Sequence, residues 1–275
     1  MTSPPVVFIT GATDGLGRAL AHRLAGDGAR LILHGRDAGR LAATADEVAG
    51  RGGKPQTLLA DLAELAQVRR LATEVRESTG RLDAFVSNAG IGSGEPDGRG
   101  RRVSADGYEL RFAVNYLAGF LLTMEFLPLL LVSAPARVVN VASIGQHPLD
   151  FTDLMITRGY SGTRAYGQSK LAQVMSGFEL AGRIAPGQVT FNSLHPATYM
   201  PTKMVLQERG ESVDTLAEGV EATRRLVSDP ALAGVSGRFF SRTQEARANA
   251  QAYDPAARAH LWAQSLQLTG HPGPA

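Results

Sequence analysis

Short, continuously apolar runs alternate along this chain with stretches in which apolar residues return every three or four positions. The first run, Val6-Val7-Phe8-Ile9-Thr10, is rich in β-branched residues and predicts a strand. Leu16, Leu20 and Leu24 follow on one helical face. The same alternation predicts strands at 31–33, 56–59, 82–87, 138–141, 189–194 and 237–240. Between them lie helices marked by Leu41, Ala45 and Val48 (closed by Gly50), by Leu62, Leu65, Val68, Leu71 and Val75, and by the apolar stretch 113–132. Leu171, Val174, Met175 and Phe178 mark another, and Leu216, Val220, Thr223 and Leu226 a later one. Strands apolar throughout, separated by amphipathic helices, predict a mostly parallel seven-stranded sheet with helices on both faces. Nothing resembling a domain linker or an internal repeat interrupts the pattern. A single domain over 1–275 is therefore expected, with its core at 6–240 and a C-terminal helix and frayed tail within 241–275. Segments 90–107 and 144–164 read as a glycine-rich loop and a long connection.

The stretch 113–132 is about long enough to cross a bilayer. It contains Asn115, Glu125 and Pro128, however, and an acid near mid-membrane costs roughly 2.5–3.5 kcal/mol on insertion scales. A helix apolar on nearly all sides fits the interior of an α/β domain or a subunit interface better. The N-terminus has no basic region and only a short apolar run, so a cytoplasmic protein that does not engage a membrane is expected.

Composition narrows the chemistry. With 275 residues, 44% hydrophobic and 20% charged, the chain can bury a full core. It has no cysteine, which excludes disulfides, thiolate metal sites and cysteine nucleophiles. The six histidines (22, 34, 147, 195, 260, 271) show no metal-ligand spacing, so no metal is expected. The pI is about 9.1 but the net charge is only +2, with acids and bases interleaved. Arg99, Arg101 and Arg102, the densest basic group, have no aromatic neighbours and read as a solvated loop, so no nucleic-acid partner is expected.

Candidate chemistry begins where the first strand runs into Gly11-Ala12-Thr13-Asp14-Gly15-Leu16-Gly17. Glycines let the backbone turn tightly and approach a pyrophosphate, and the following helix aims its N–H groups at that anion. At the end of the second strand, Gly35 occupies the place where an acid would meet a ribose 2′-hydroxyl. Arg36 follows and could pair with a 2′-phosphate, although Asp14 and Asp37 lie nearby. Tyr166 and Lys170 stand one helical turn apart. An ammonium there would lower the tyrosine pKa and let the phenol exchange a proton with a carbonyl oxygen. The chain keeps a lysine at 170 although only three of its 28 basic residues are lysines (54, 170, 203).

These motifs, together with Asn88-Ala89-Gly90, Asn115 and Ser143, come in the order and spacing of the short-chain dehydrogenase/reductase family, which the chain resembles over about 6–240. Asp106-Gly107-Tyr108-Glu109, 115–120 (NYLAGF), Tyr160-Ser161-Gly162 and the 23-residue step from Ser143 to Tyr166 look like its retinol dehydrogenase-like branch. The resemblance implies a doubly wound Rossmann domain and an oxidoreductase reducing a ketone or aldehyde with NADPH, or running the reverse oxidation; NAD is the less favoured cofactor. Tyr166 would be the general acid/base, Lys170 would bind the nicotinamide ribose, Ser143 would hydrogen-bond the substrate oxygen, and Asn115 would hold a relay water. Asp61 and Leu62 would meet the adenine, Asn88 to Gly90 the adenosine ribose, and Pro196 with Thr198 or Thr202 the nicotinamide carboxamide.

Lid segments 144–165 and 198–215 would face the substrate. They contribute Ile144, His147, Leu149, Phe151, Leu154, Met155, Ile156, Tyr199, Met200, Met204 and Leu206, a set that suits an apolar carbonyl or alcohol. Relatives pair through the helices corresponding to 113–132 and to the Tyr166 helix, so a homodimer is possible. A double-bond reductase or epimerase on the same scaffold, or a non-catalytic cofactor-binding regulator, are the competing readings.

Overall fold

In the computed structural model, which describes residues 3–50, 54–94 and 100–273, the first apolar run forms β1 (Val6–Ile9) and is buried at all four positions. Alternate side chains face opposite layers: Val6 and Phe8 pack with one core cluster, Val7 and Ile9 with the other. The chain continues through α1 (Gly15–Gly26), β2 (Arg30–Gly35), α2 (Ala38–Ala49), β3 (Gln56–Leu59), α3 (Leu65–Ser78) and β4 (Ala84–Ser87). A π-helical turn (Phe112–Leu117) leads into α4 (Ala118–Val132), β5 (Ala136–Val141), α5 (Gly162–Arg183) and β6 (Val189–His195). The last elements are α6 (Lys203–Arg209), α7 (Leu216–Ser228), β7 (Arg238–Ser241), β8 (Gln244–Ala246) and α8 (Pro255–Thr269).

The strands form one sheet in the order β3-β2-β1-β4-β5-β6-β7-β8, parallel from β3 through β7. One layer packs α3, α4, α5 and α8 on the sheet; the other packs α1, α2 and α7. The doubly wound α/β class is as expected, but the sheet has eight strands rather than seven. The additional strand pairs antiparallel with β7 across a tight turn at Arg242, which has φ 54°. Its three residues, Gln-Glu-Ala, carry no apolar run, so hydrophobic patterning could not reveal this edge strand. α3 also starts later than its period suggested. Leu62 lies before the helix, and Asp106 caps α3 from a distance by accepting the Leu65 N–H at 2.9 Å.

The apolar helix Phe112–Val132 is long enough to cross a membrane, and 67% of its most apolar window is buried inside the protein. Glu125 explains how an acid sits on it: the carboxylate receives Arg69 at 3.0 Å and also Arg76, both from α3. α8 covers it further, with Trp262 packed edge-on to Phe120 at 5.5 Å and under the Arg183 guanidinium at 4.4 Å. α4 and α5 are thus bridged by this chain's own C-terminal helix. A homodimer would have to use other parts of their surfaces.

The 106–109 motif is a set of ties. Asp106 caps α3, the Tyr108 hydroxyl donates to Leu268 O at 2.8 Å on α8, and Glu109 is buried. Glu109 accepts from Tyr160 at 2.9 Å, and the fully buried Arg111 donates to Tyr160 at 2.7 Å and to the Gly92 and Ser93 carbonyls at 2.7 and 2.9 Å. Arg101 is not simply solvated either; it donates to Met155 O at 2.9 Å. Arg99 lies outside the described residues.

Phe8, Phe85 and Phe126 meet at centroid distances of 5.3–5.5 Å, all fully buried between β1, β4 and α4. Phe126→Ala should therefore cost about 3–5 kcal/mol in urea unfolding, whereas Val132→Ala, at a position 78% exposed, should stay within about 0.5 kcal/mol. Equal costs would contradict this core assignment.

Candidate active site

The carboxyl ends of β1 and β4 are locked together by Thr10. Its hydroxyl accepts the Asn88 and Ala89 N–H groups at 3.0 and 3.1 Å, and the Asn88 amide returns bonds to Thr10 O and Gly11 O at 2.8 and 3.1 Å. Asn88 and Ala89 therefore reach the glycine loop, and their side chains help to shape it. Gly11 and Gly15 have positive φ (66° and 49°), which a side chain would strain. A Cβ at Gly17 would lie 2.2 Å from Gly11 O, so only glycine lets α1 start this close to β1. Leu16 is buried in the core and offers the site only its backbone. This cradle of small residues at a helix N-terminus fits a dinucleotide pyrophosphate.

Gly11 N–H itself donates to His34 Nδ1 at 3.2 Å, while His34 Nε2 meets Ala60 O at 3.0 Å. Burial holds His34 below its ordinary pKa, so it is the neutral tautomer that ties the loop to the end of β3.

At the end of β2, a Cβ on Gly35 would lie 2.3 Å from Thr13 Cγ2. An acid at 35 is sterically blocked unless Thr13 moves. Arg36 is exposed and has no hydrogen-bond or ion-pair partner among the described residues. Both nearby acids face helix ends: Asp14 accepts Gly15 N–H at 2.7 Å, and Asp37 accepts Arg40 N–H at 2.9 Å. Arg18 is held by Glu47 at 2.9 Å. Asp61 is exposed after β3 and receives Ala63 N–H at 2.9 Å; the Leu62 side chain is buried, leaving its backbone to any ligand.

Tyr166 and Lys170 project from α5 toward the ends of β5 and β4. Lys170 is only 4% exposed. Its ammonium donates to Val141 O at 2.9 Å and Gln173 Oε1 at 3.0 Å and lies 5.7 Å from the Tyr166 ring centroid. Burial pushes it down to about 7. A Cβ on Gly90 would lie 3.5 Å from Nζ and 3.3 Å from Asn115 Oδ1, so glycine at 90 leaves this corner open. The Ser143 hydroxyl lies on the phenol side of Tyr166, where it favours the phenolate, and accepts Gly145 N–H at 3.0 Å.

The balance at Tyr166 differs from expectation. Burial of the phenol raises its pKa, the Ser143 hydrogen bond opposes this, and the Glu208 charge adds to it. The lysine makes no hydrogen bond to the phenol; its two bonds go to Val141 and Gln173. The residue keeps part of its surface accessible; it is the phenol end that is enclosed.

Asn115 sits in the π-helical turn, 1% exposed, and clamps Ile91: it accepts Ile91 N–H at 2.8 Å and donates to Ile91 O at 3.1 Å. It also donates to Ser169 Oγ at 3.0 Å, which donates to Tyr166 O at 2.7 Å. Its side chain thus couples the β4 loop to the Tyr166 helix. π turns of this kind recur at functional sites.

The lid segments divide. Pro196 and Ala197 are buried beyond β6. The Thr198 hydroxyl pairs with His195 at 3.0 Å and its N–H with Asp214 at 2.6 Å. Thr202 caps α6 and lies against the glycine loop, 2.7 Å from where a Gly15 Cβ would be. At the other end of α6, Glu208 accepts Gly94 N–H at 2.7 Å and Ser93 Oγ–H at 3.0 Å. α6 therefore roofs the cleft from the glycine loop to the β4 loop. Four residues expected to face substrate, Leu149, Leu154, Ile156 and Met200, are buried in packing instead, and Phe151 stacks on His260 at 4.4 Å. His147 packs over Gly167. Ile144, Tyr199 and Leu206 remain 63%, 43% and 45% exposed.

His34, Ser169, Gln173 and Glu208 are the residues that sequence reasoning missed as site components. Gln173 had a signal: it lies three residues after Lys170, on the same helix face. His34 and Glu208 act across long sequence separations and had none; Ser169 lies within the Tyr166–Lys170 turn, but its tie to Asn115 spans the fold.

The comparisons with known proteins agree with this geometry. The family model for short chain dehydrogenases matches residues 5–212. Human retinol dehydrogenase 14 is 34% identical over 96% of this chain and 86% of its own length, and human retinol dehydrogenase 13 is 32% identical over 98% and 85%. Among solved structures, an uncharacterized protein from Mycobacterium paratuberculosis has a TM-score of 0.78 at 28% identity, covering 99% of this chain and 97% of that one. The Pseudomonas aeruginosa RhlG/NADP complex has a TM-score of 0.69 at 26% identity, covering 86% and 94%. The chain belongs to the short-chain dehydrogenase family, in its retinol dehydrogenase-like branch, and is an oxidoreductase acting on CH–OH or C=O groups.

Proposed function

We propose that the protein reduces an apolar ketone or aldehyde with NADPH, Tyr166 giving the proton. The observation that carries this reading is the convergence of Ser143, Tyr166 and Lys170 at the carboxyl end of β5 and the first half of α5, beside Gly90. A bound nicotinamide supplies the hydride to the carbonyl carbon. Ser143 holds the carbonyl oxygen and steadies the charge that grows on it. Tyr166, kept protonated through neutral pH by burial, donates its phenolic proton to that oxygen. A raised tyrosine suits reduction, since oxidation would require the phenolate. Lys170 binds the ribose with a proton not used by Val141 or Gln173, and Asn115 holds the backbone around the relay.

Preference for the 2′-phosphate rests on three features: the unpaired Arg36, the blocked position 35, and the engagement of Asp14 and Asp37 in helix capping. Gly11, Thr13, Gly15, Gly17 and the Leu16 backbone hold the pyrophosphate in this reading, with Asp61, Leu62 and Asn88 to Gly90 on the adenosine side and Pro196 and Thr198 toward the nicotinamide. NADP in a solved relative supports the choice. The exposed Ile144, Tyr199 and Leu206 around the cleft, and the alcohols named in the relatives, support an apolar substrate. One domain carries both cofactor and substrate, and we assign it to the cytoplasm; burial of the 112–132 helix supports that assignment.

Three outcomes test the reading. Tyr166→Phe should lower kcat for carbonyl reduction by about 10²-fold or more while NADPH affinity by fluorescence titration holds; unchanged turnover would remove Tyr166 from the chemistry. Arg36→Ala should weaken NADPH by roughly ten-fold or more and leave NADH unaffected; an equal loss for both cofactors would place the 2′-phosphate elsewhere. Because the ammonium form of Lys170 is the binding form and burial holds its pKa near 7, kcat/KM for NADPH should fall as pH rises above about 7. A profile flat from pH 6 to 9 would rule out that role.

A further inference from the structure

Gln173 lies one turn beyond Lys170 on α5 and is 3% exposed. An ammonium only donates, so the atom of Gln173 facing Nζ at 3.0 Å must be the amide oxygen. The amide nitrogen is then directed away from the lysine. Among the described residues it has no hydrogen-bond partner, although it is fully buried. A cavity with space for about one water molecule lies there, between the sheet, α4 and α5. Its lining is unusually polar for a core: Ser87, Thr123, Asn140, Gln173 and Ser176 all contribute. Gly119 keeps it open, since a Cβ there would lie 2.4 Å from Ser87 Oγ. The Gln173 carbonyl already receives Ser176 Oγ–H at 3.0 Å and the Asn140 amide at 3.3 Å, which fixes the turn of α5 that carries the side chain.

We propose that one internal water binds in this cavity and accepts from Gln173 Nε2, and that Gln173, so held, is the positioning residue for the Lys170 ammonium. The role rests on the functional reading above only in giving Lys170 a ribose to bind. Among the described residues Gln173 is the one side-chain acceptor for the ammonium; the second acceptor is the Val141 carbonyl. The groups facing Nζ from the packed elements are otherwise uncharged: Gly90 from the β4 loop, Asn115 from the π turn and Val141 from β5. The titratable neighbour is Tyr166 on its own helix, and the Glu208 charge acts on Tyr166 from α6. The amide therefore sets how much of Lys170 is charged and where its remaining proton points. The water would satisfy the otherwise unpartnered amide nitrogen and so reinforce the orientation that the ammonium requires.

The test reads Lys170 directly. The chain has three lysines (54, 170, 203), so protein labelled with 13C at lysine Cε gives three signals, assigned with Lys54→Arg and Lys203→Arg. Gln173→Leu removes an acceptor and should lower the pH at which Lys170 titrates by roughly one unit. Gln173→Glu places a carboxylate there and should raise it by a similar amount. Opposite shifts support the role; no shift, or shifts of the same sign, overturn it. If the leucine variant does not fold, Gln173→Asn, which shortens the arm, is titrated in its place and should also shift downward. A crystal structure of the wild-type protein should contain a water within hydrogen-bond distance of Gln173 Nε2, and a dry cavity overturns that half. The lysine titration needs no turnover. Absence of carbonyl reduction in the wild type would therefore refute the functional reading and leave this result standing.

Discussion

Lys170 Nζ is held by the Val141 carbonyl at 2.9 Å and the Gln173 amide at 3.0 Å in a corner where water scarcely reaches. A buried ammonium is tolerated only with fixed acceptors. The end of β5 and the middle of α5 must therefore stay in register with each other, and the π turn with Asn115 must stay against both. The cost has a definite sign. Below about pH 7 the folded and unfolded chains both carry the proton and the full burial penalty counts against folding. As pH rises from there to the ordinary lysine value, the folded chain has lost the proton first and stability is regained. A destabilising charge kept in the interior is best explained by what it does for a ligand.

The same corner lies at the point where the sheet reverses its winding. From β1 the chain builds outward through β2 and β3, then returns to add β4 and everything beyond it on the other side. Loops diverge there and leave a crevice at the carboxyl ends of the strands. Thr10 and Asn88 close the floor of that crevice by joining β1 to β4. α6 forms its roof, anchored by Thr202 at one end and Glu208 at the other. One anchor is the methyl side of Thr202 against Gly15 and the other is the pair of hydrogen bonds to Glu208, both on a helix with no buried residue, so the roof is held far less tightly than the floor.

The parallel sheet was legible because each of its buried strands is a short apolar run and each covering helix carries an apolar face. β8 escaped because two polar residues and an alanine at an edge leave no such mark. The catalytic side chains were legible because their spacing is local or stereotyped: a tyrosine and a lysine on one helical turn, a serine just past a strand. Their electrostatics were not. That Lys170 bonds Val141 and Gln173 rather than the phenol depends on where β5 ends relative to α5, which no spacing records. The acids near the glycine loop misled in a similar way. Asp14 and Asp37 look like obstacles to a 2′-phosphate in one dimension, and in three they are the caps of α1 and α2. Apolar residues in the lids were legible as apolar but not as lid-facing, since Leu149, Leu154 and Ile156 turn inward.

That inward turn shows what the long step between Ser143 and Tyr166 requires. A connection of this length would be loose unless something packed on it, and the C-terminal region does so. Gln251 exchanges hydrogen bonds with the Leu149 backbone at 2.6 and 3.1 Å, and Asn249 N–H donates to Gln146 at 2.8 Å. His260 stacks on Phe151. From the other side, Gln168 of α5 donates to Leu154 O at 2.9 Å, and Glu109 and Arg111 seize Tyr160 just before α5 begins. α8 is in turn fastened to α3 through Arg69 and to the π turn through Tyr116 and Ser265. The turn after β8 and the C-terminal helix are thus what makes the longer substrate loop compatible with a rigid Tyr166. Shortening the loop alone would strand the Gln251 amide and the Asn249 N–H, so the long connection and the C-terminal region form one structural unit.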